Sequence, residues 1–365
     1  MFILITNRQR ARRGRLVTAH GAIETPCFMP IATKGAVKTM SSADMHDLGA
    51  QILLANTYHL LLRPGLAAMK TLGGLHAFMG WDRPILTDSG GYQVFSLAKM
   101  NKTTEEGVTF QSHIDGARVA LTPELSMQMQ RAIGSDIAMV FDDVAAGDST
   151  RERYEEAMER SSRWAKRSKE AHTGEQQLFG IVQGGTYEDL RERSLSGLLD
   201  VGFDGYAIGG LSVGEDREDA YRIASRVCEL LPQDKPRYFM GGGMPEEIVA
   251  YVKMGVDLFD CVLPTRNARH GTLFVWTSVP ESIDWSKTQT GFSDRLRITN
   301  EAYQFDPSPV DPFCSCQTCA TTSRAYLRHL FSVNEILALR LSTIHNLHFY
   351  LTLMRALRQW IEKVV

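Results

Sequence analysis

Eight times between residues 26 and 264 the chain enters a short apolar run that stops at a polar residue or a glycine. The runs are PCFMPIAT (26–33), AQILLANT (50–57), PILTDSGG (84–91), DIAMVFDD (136–143), LFGIVQGG (178–185), GYAIGGL (205–211), RYFMGGG (237–243) and DLFDCVLP (257–264). Between them lie segments with helical spacing and charge, such as RERYEEAMERSSRWAKRSKEAH (151–172) and DREDAYRIASRVCELL (216–231). Continuous apolar runs suit strands buried on both faces, as in a parallel sheet, and the amphipathic segments supply its helical cover. Eight such units over roughly 250 residues fit a (β/α)8 TIM barrel. A doubly wound open sheet uses the same units but does not require eight.

In such a barrel the C-terminal strand ends form the active face. The residues placed there are Asn56, Asp88, Asp142, Gln183, Gly209, Gly210, Gly241 and Asp260. Any one aspartate could simply cap the helix after its strand. Three aspartates and a glutamine around one mouth point instead to a site.

The chain of 365 residues is 44% hydrophobic and 22% charged with a net charge of −2, which excludes a disordered chain and gives no bulk attraction to a polyanion. Residues 261–365 carry 11 Lys+Arg against 8 Asp+Glu, a mild basic bias compatible with nucleic acid. The N-terminal MFILITNRQRARRGR turns basic too soon for a signal-peptide core, and no apolar stretch approaches a membrane span. A cytoplasmic protein is expected, in which the six cysteines are thiols or metal ligands rather than disulfides. DPFCSCQTCA gives Cys314, Cys316 and Cys319 in a C-x-C-x-x-C cluster, and LSTIHNLHFY offers His345 and His348 as a fourth ligand. Three thiolates and an imidazole suit one zinc ion per chain, closed to water and therefore structural. The competing reading is three clustered free thiols.

The motifs NTYHLLLRPG (56–65), LTDSGGYQVFSL (86–97), FGIVQGG (179–185), YAIGGLSVGE (206–215), DLFDCVLPTRNARHGTLF (257–274), CSCQTC (314–319), SRAYLRHL (323–330) and TIHNLHFY (343–350) together resemble the tRNA-guanine transglycosylases, especially the bacterial type. The resemblance runs from about Arg13 onward. It implies a (β/α)8 barrel with an inserted zinc-binding subdomain near the C-terminus. The expected organisation is 1–275 for the barrel with N-terminal strands, 276–345 for a loop and the zinc subdomain, and 334–365 for a C-terminal helix packing back on the barrel. It further implies exchange of guanine at the wobble position of GUN-anticodon tRNAs (Asp, Asn, His, Tyr) for a 7-deazaguanine. The reaction is a double displacement through a covalent enzyme–RNA intermediate, as in a retaining glycosidase.

Carried onto this chain, the resemblance makes Asp260 the nucleophile and Asp88 the general acid/base. Neighbours on a strand point to opposite sides, so Cys261 is expected to be buried away from the substrate. The base-binding set is Ser89, Tyr92, Asp142, Gln183, Gly209, Gly210, Leu211 and Met240. Within it Asp142 opposes the guanine N1–H and N2–H2 donors, Gln183 and the Gly210 N–H read the O6 side, and Tyr92 and Met240 sandwich the ring. RNA contacts are expected from Gly241, Gly242 and Gly243 and from Thr265, Arg266, Asn267, Ala268 and Arg269, with His270 just beyond. The glycine-rich turn could equally be a plain strand–helix connection. The zinc ligands expected are Cys314, Cys316, Cys319 and His345, and the assembly a homodimer using the zinc region.

The chain departs from the bacterial pattern at FDDV (141–144), where FDEC is usual, so Asp143 and Val144 stand beside the base pocket. That change resembles the eukaryotic catalytic subunit, which takes queuine, whereas Val213 keeps the bacterial residue. Val144 and Val213 are thus the specificity positions, and 7-aminomethyl-7-deazaguanine (preQ1) is the favoured incoming base, with queuine the alternative. A non-catalytic partner subunit would have lost some of Asp88, Asp142, Gln183 and Asp260, and all four are present. An archaeosine-type enzyme would add C-terminal RNA-binding domains, which are not expected here. A glycosidase of free sugars would explain the carboxylates but not the guanine-reading set. WTSVPESIDWSKTQTGFSD (276–294), longer than usual, reads as a surface loop.

Overall fold

The computed structural model describes residues 1–97 and 101–363. All eight apolar runs contribute a strand to one parallel sheet: β1 (Cys27–Met29), β2 (Leu53–Ala55), β3 (Ile85–Thr87), β4 (Ile137–Met139), β5 (Gln177–Val182), β6 (Gly205–Ile208), β7 (Arg237–Phe239) and β8 (Leu258–Asp260). Consecutive strands pair in register, for example Ile137 with Gln177 and Tyr238 with Leu258, and β8 returns to β1 with Asp260 opposite Met29. Between β1 and β2 the sheet closes through one parallel bridge, Ile31 to Leu54, with Leu54 N donating to Pro30 O at 3.0 Å. The result is an α/β barrel rather than an open sheet.

Its strands are short and almost wholly buried, Phe28, Leu53, Leu86, Phe179 and Phe259 among them. Each such side chain removed from water stabilises the fold by about 1.5–3 kcal/mol before entropy is counted. The helices between strands start and stop on local signals. Helix Pro123–Ile133 is capped by the Thr122 side chain, has proline in its first turn and ends at Gly134 in a left-handed conformation (φ 72°). Helix Arg151–Ala171 opens on Thr150 and buries Tyr154, Ala157, Met158, Ser161, Trp164, Ala165 and Ser168 along one stripe.

Three additions surround the barrel. An antiparallel sheet, Phe2–Arg8, Ala11–Thr18 and Gly21–Thr25, precedes β1, and His20 at its last turn donates its N–H to Asp136 just before β4. A second small sheet (Asn101–Thr103, Val108–Gln111, Arg118–Leu121) follows β3 and packs Phe110 against Tyr58 in a cluster with Phe141 and Trp164. After β8 come the antiparallel strands Thr272–Trp276 and Ser293–Arg297, a cysteine-bearing loop, and the long helix Ile336–Glu362. That helix runs back along β1, helix Pro245–Met254 and helix Leu263–Arg269.

The stretch 276–294 is not the simple surface loop its polar composition suggested. Trp285 and Phe292 are both buried, packed edge to face at 5.0 Å, with Trp276 beside Phe292. Three aromatics spaced along an otherwise polar segment fold it back on itself. Among the described residues no helix is long and apolar enough to cross a membrane.

Candidate active site and metal centre

Asp88 and Asp260 sit where β3 and β8 end, and both are buried. Asp260 Oδ1 accepts from the Tyr238 hydroxyl at 2.5 Å and from Gly241 N at 3.0 Å. Burial raises its carboxyl above the ordinary range, and these two donors pull it back. A carboxylate so held has one oxygen committed to the protein and the other available for a reacting centre. Asp88 accepts from Thr57 N at 2.8 Å, Gln93 Nε2 at 2.8 Å and the Asn56 amide. Burial lifts it to about 7, against the pull of Asn56, Thr57 and Gln93 and with a push from the Asp260 charge. Two buried carboxyls at one mouth, one lifted to near neutrality and the other served by two donors, are a pair suited to acid–base chemistry.

Asp142 lies beyond the end of β4. Its Oδ1 accepts from Ser89 Oγ and its Oδ2 from Gln183 Nε2, each at 2.8 Å. Burial lifts its carboxyl to about 6; Ser89 and Gln183 oppose this and Asp143 adds to it. Gln183 has a second N–H to offer a ligand. Its Oε1 lies so close to Gly210 that a Cβ there would stand 2.2 Å away, and Gly210 has φ +61°. Only glycine fits. Gly209 and the buried Leu211 complete this wall, with Met240 Sδ near Gly209. Tyr92 stands half exposed on helix Gly91–Leu97. Val144 is buried and Val213 partly so, the Val213 carbonyl accepting from Gly147 N at 3.3 Å. Asp143 faces away from this wall, clamped by Arg153 at 2.7 Å and Arg160 at 2.5 Å.

The expected RNA-binding stretches divide. Gly241 is exposed, but its N–H already serves Asp260, and Gly242 and Gly243 are buried. On helix Leu263–Arg269, Thr265 and Ala268 face inward, whereas Arg266 is exposed and Asn267 and Arg269 are partly so. Cys261 is buried, its thiol against Gly243, whose carbonyl also accepts from Tyr350 Oη at 2.6 Å. A Cβ on Gly243 would fall 1.9 Å from Cys261 Sγ, so the thiol and the glycine fit each other and leave the mouth to Asp260.

Cys314, Cys316, Cys319 and His345 bring one ligand atom each into a group whose members all lie within 4.8 Å of one another. His345 Nε2 donates to Phe274 O at 2.7 Å, which turns Nδ1 toward Cys319 Sγ at 3.3 Å and Cys316 Sγ at 3.7 Å. Metal–ligand bonds of about 2.3 Å to sulfur and 2.0–2.1 Å to nitrogen would set tetrahedral edges of about 3.5–3.8 Å. The four residues therefore fit a metal ion. His348 Nδ1 lies 3.4 Å from Cys314 Sγ, outside that four-residue group.

Four groups escaped the sequence reading: Tyr238 on Asp260, Gln93 on Asp88, Arg191 beneath the Gln183 and Gly209 loops, and Glu215, which accepts from the Ser212 and Val213 amides. Each acts through another residue, and no local motif marks that.

A family model described as queuine tRNA-ribosyltransferase matches residues 7–364. A queuine tRNA-ribosyltransferase of Syntrophobacter fumaroxidans is 56% identical over 353 residues, 96% of this chain and 90% of the relative. One from Thioalkalivibrio sulfidiphilus is 53% identical over 358 residues (98% and 92%), and one from Francisella tularensis subsp. novicida 51% over 363 (99% and 95%). With a match of this length over a barrel that buries two carboxylates at its mouth, the chain belongs to the queuine tRNA-ribosyltransferase family.

Proposed function

We propose that the protein is a pentosyltransferase acting in the cytoplasm on tRNA, exchanging the wobble guanine of GUN-anticodon tRNAs for preQ1. The observation that carries this is the convergence of Asp88, Asp260 and the Asp142–Gln183 pair on one barrel mouth. The Asp260 carboxylate attacks the ribose C1′, the glycosidic bond breaks, and its electron pair goes to guanine N9. Asp88, which keeps its proton up to about pH 7, gives that nitrogen a proton. The incoming base then loses its N9 proton to Asp88 and displaces Asp260 from C1′, so two inversions give net retention. Asp142 accepts from the base N1–H and N2–H2, and Gln183 with the Gly210 N–H serves its O6 side. Tyr92 and Met240 flank the ring, and Arg266, Asn267 and Arg269 meet the anticodon loop.

Zinc held by Cys314, Cys316, Cys319 and His345 has a structural role, fastening the loop after the strand Ser293–Arg297 to helix Ile336–Glu362. The exposed Phe305, Phe313, Tyr326, Val333 and Ile336 of this region support pairing with a second copy.

The choice of preQ1 rests on Val213, whose side chain would crowd the ring that queuine carries on its 7-substituent. Val144 in place of a thiol, and the relatives' name of queuine tRNA-ribosyltransferase, favour queuine as the second reading. Competition of the two bases for one tRNA, as a ratio of kcat/KM values, decides between them. A contact of this size is worth about 10–200-fold. Under the preQ1 reading Val213→Gly widens acceptance toward queuine; a wild-type preference for queuine overturns it.

A further inference from the structure

Arg191, on helix Glu188–Val201, is fully buried beneath the site. Its Nε donates to Gly185 O at 2.8 Å and its Nη1 to Val182 O at 2.7 Å, both on the β5 end that carries Gln183. The same Nη1 donates to Gly209 O at 2.6 Å and Nη2 reaches Gly210 O at 3.4 Å, both on the β6 end. One planar cation thus joins the two loops on which the base-reading groups stand. Among the described residues no carboxylate forms an ion pair with it. The acid acting on it at longer range is Glu215, which holds the next two amides of the β6 loop, Ser212 and Val213.

A buried cation without a paired carboxylate is costly. Closing a strand–helix turn does not by itself require one, since backbone carbonyls are commonly met by amides or water. What a guanidinium adds is a rigid fork that fixes the spacing between two acceptor groups. The Gly209 carbonyl shares one planar peptide with the Gly210 N–H, and the Gly210 carbonyl belongs to the next, so fixing both fixes the direction of that donor.

We propose that Arg191 is a positioning residue for base recognition, locking the Gln183 loop and the Gly209–Gly210 segment in one register so that both address the same edge of the base. This rests on the reading of Gln183 and Gly210 as base-reading groups.

The test is exchange of labelled guanine into tRNA by wild type, Arg191→Lys, Arg191→Met, Gln183→Ala and the Arg191→Lys/Gln183→Ala double variant. Lysine keeps the charge but has one nitrogen in place of three, and so cannot reach all four carbonyls or fix their spacing as the planar fork does. KM for guanine should rise about tenfold or more in Arg191→Lys, with the tRNA KM at its wild-type value. Its effect should be less than additive with Gln183→Ala. An unchanged guanine KM, an equal rise in both KM values, strict additivity, or a lysine variant that does not fold at all would each assign Arg191 a purely structural role. A Gln183→Ala protein with wild-type guanine KM would instead refute the base-reading assignment beneath the proposal.

Discussion

Replacing Asp88 by asparagine should make the protein more stable above pH 7 while ending its chemistry. The Asp88 carboxyl is buried and lifted from its ordinary 3.8 to about 7. Below about pH 4 it is protonated in both folded and unfolded chains, and asparagine is a fair copy of that neutral acid. As pH rises from 3.8 toward about 7 the unfolded chain ionises while the folded one keeps its proton, so wild-type stability is lost across that window. At about 1.36 kcal/mol per pH unit the loss levels off near 4 kcal/mol. The asparagine NH2 group replaces one oxygen and so faces either Thr57 N or the Asn56 and Gln93 amides, an offset of about 1 kcal/mol. The net gain for Asp88→Asn is therefore about 3 kcal/mol at pH 8 and near zero at pH 4.5. Urea unfolding of both proteins at several pH values measures it. Parallel stability curves would refute the argument, because they would mean that Asp88 ionises in the fold as easily as in water. In the wild type, single-turnover adduct formation, which needs the Asp88 proton, should decline as pH rises through about 7. A stability cost held at a reactive group is the usual exchange between activity and stability.

Asp260→Asn should abolish both base exchange and the covalent tRNA adduct on denaturing gels while tRNA affinity survives; an adduct formed at the wild-type rate would move the nucleophile to Asp88. Metal analysis should find about one zinc per chain, lost with folded stability in His345→Ala and retained in His348→Ala; the reverse pattern would make His348 the ligand. Gly210→Ala should raise the KM for the free base by about 10–200-fold with tRNA binding intact, since its methyl group would meet Gln183 Oε1; an unchanged KM would remove this glycine from the base pocket.

The eight barrel strands and the cysteine–histidine cluster were legible in the sequence because each is a local pattern. A strand buried on both faces must be an unbroken apolar run, and a metal site built from one tight turn must carry its thiols close together. The positions of Asp88, Asp142, Gln183 and Asp260 followed for the same reason, as polar residues at the ends of such runs. Tertiary structure alone decided what each of those groups feels. Tyr238 reaches Asp260 from the neighbouring strand, Gln93 reaches Asp88 from the following helix, and Arg191 joins two loops from below. The segment 276–294 shows the same limit from the other side, since its polar residues outnumber three aromatics whose mutual burial sets its path. Composition and periodicity record how often a chain must hide a side chain from water. Which donor then meets which carboxylate depends on distances between residues far apart in the chain, and these exist only once the barrel has closed.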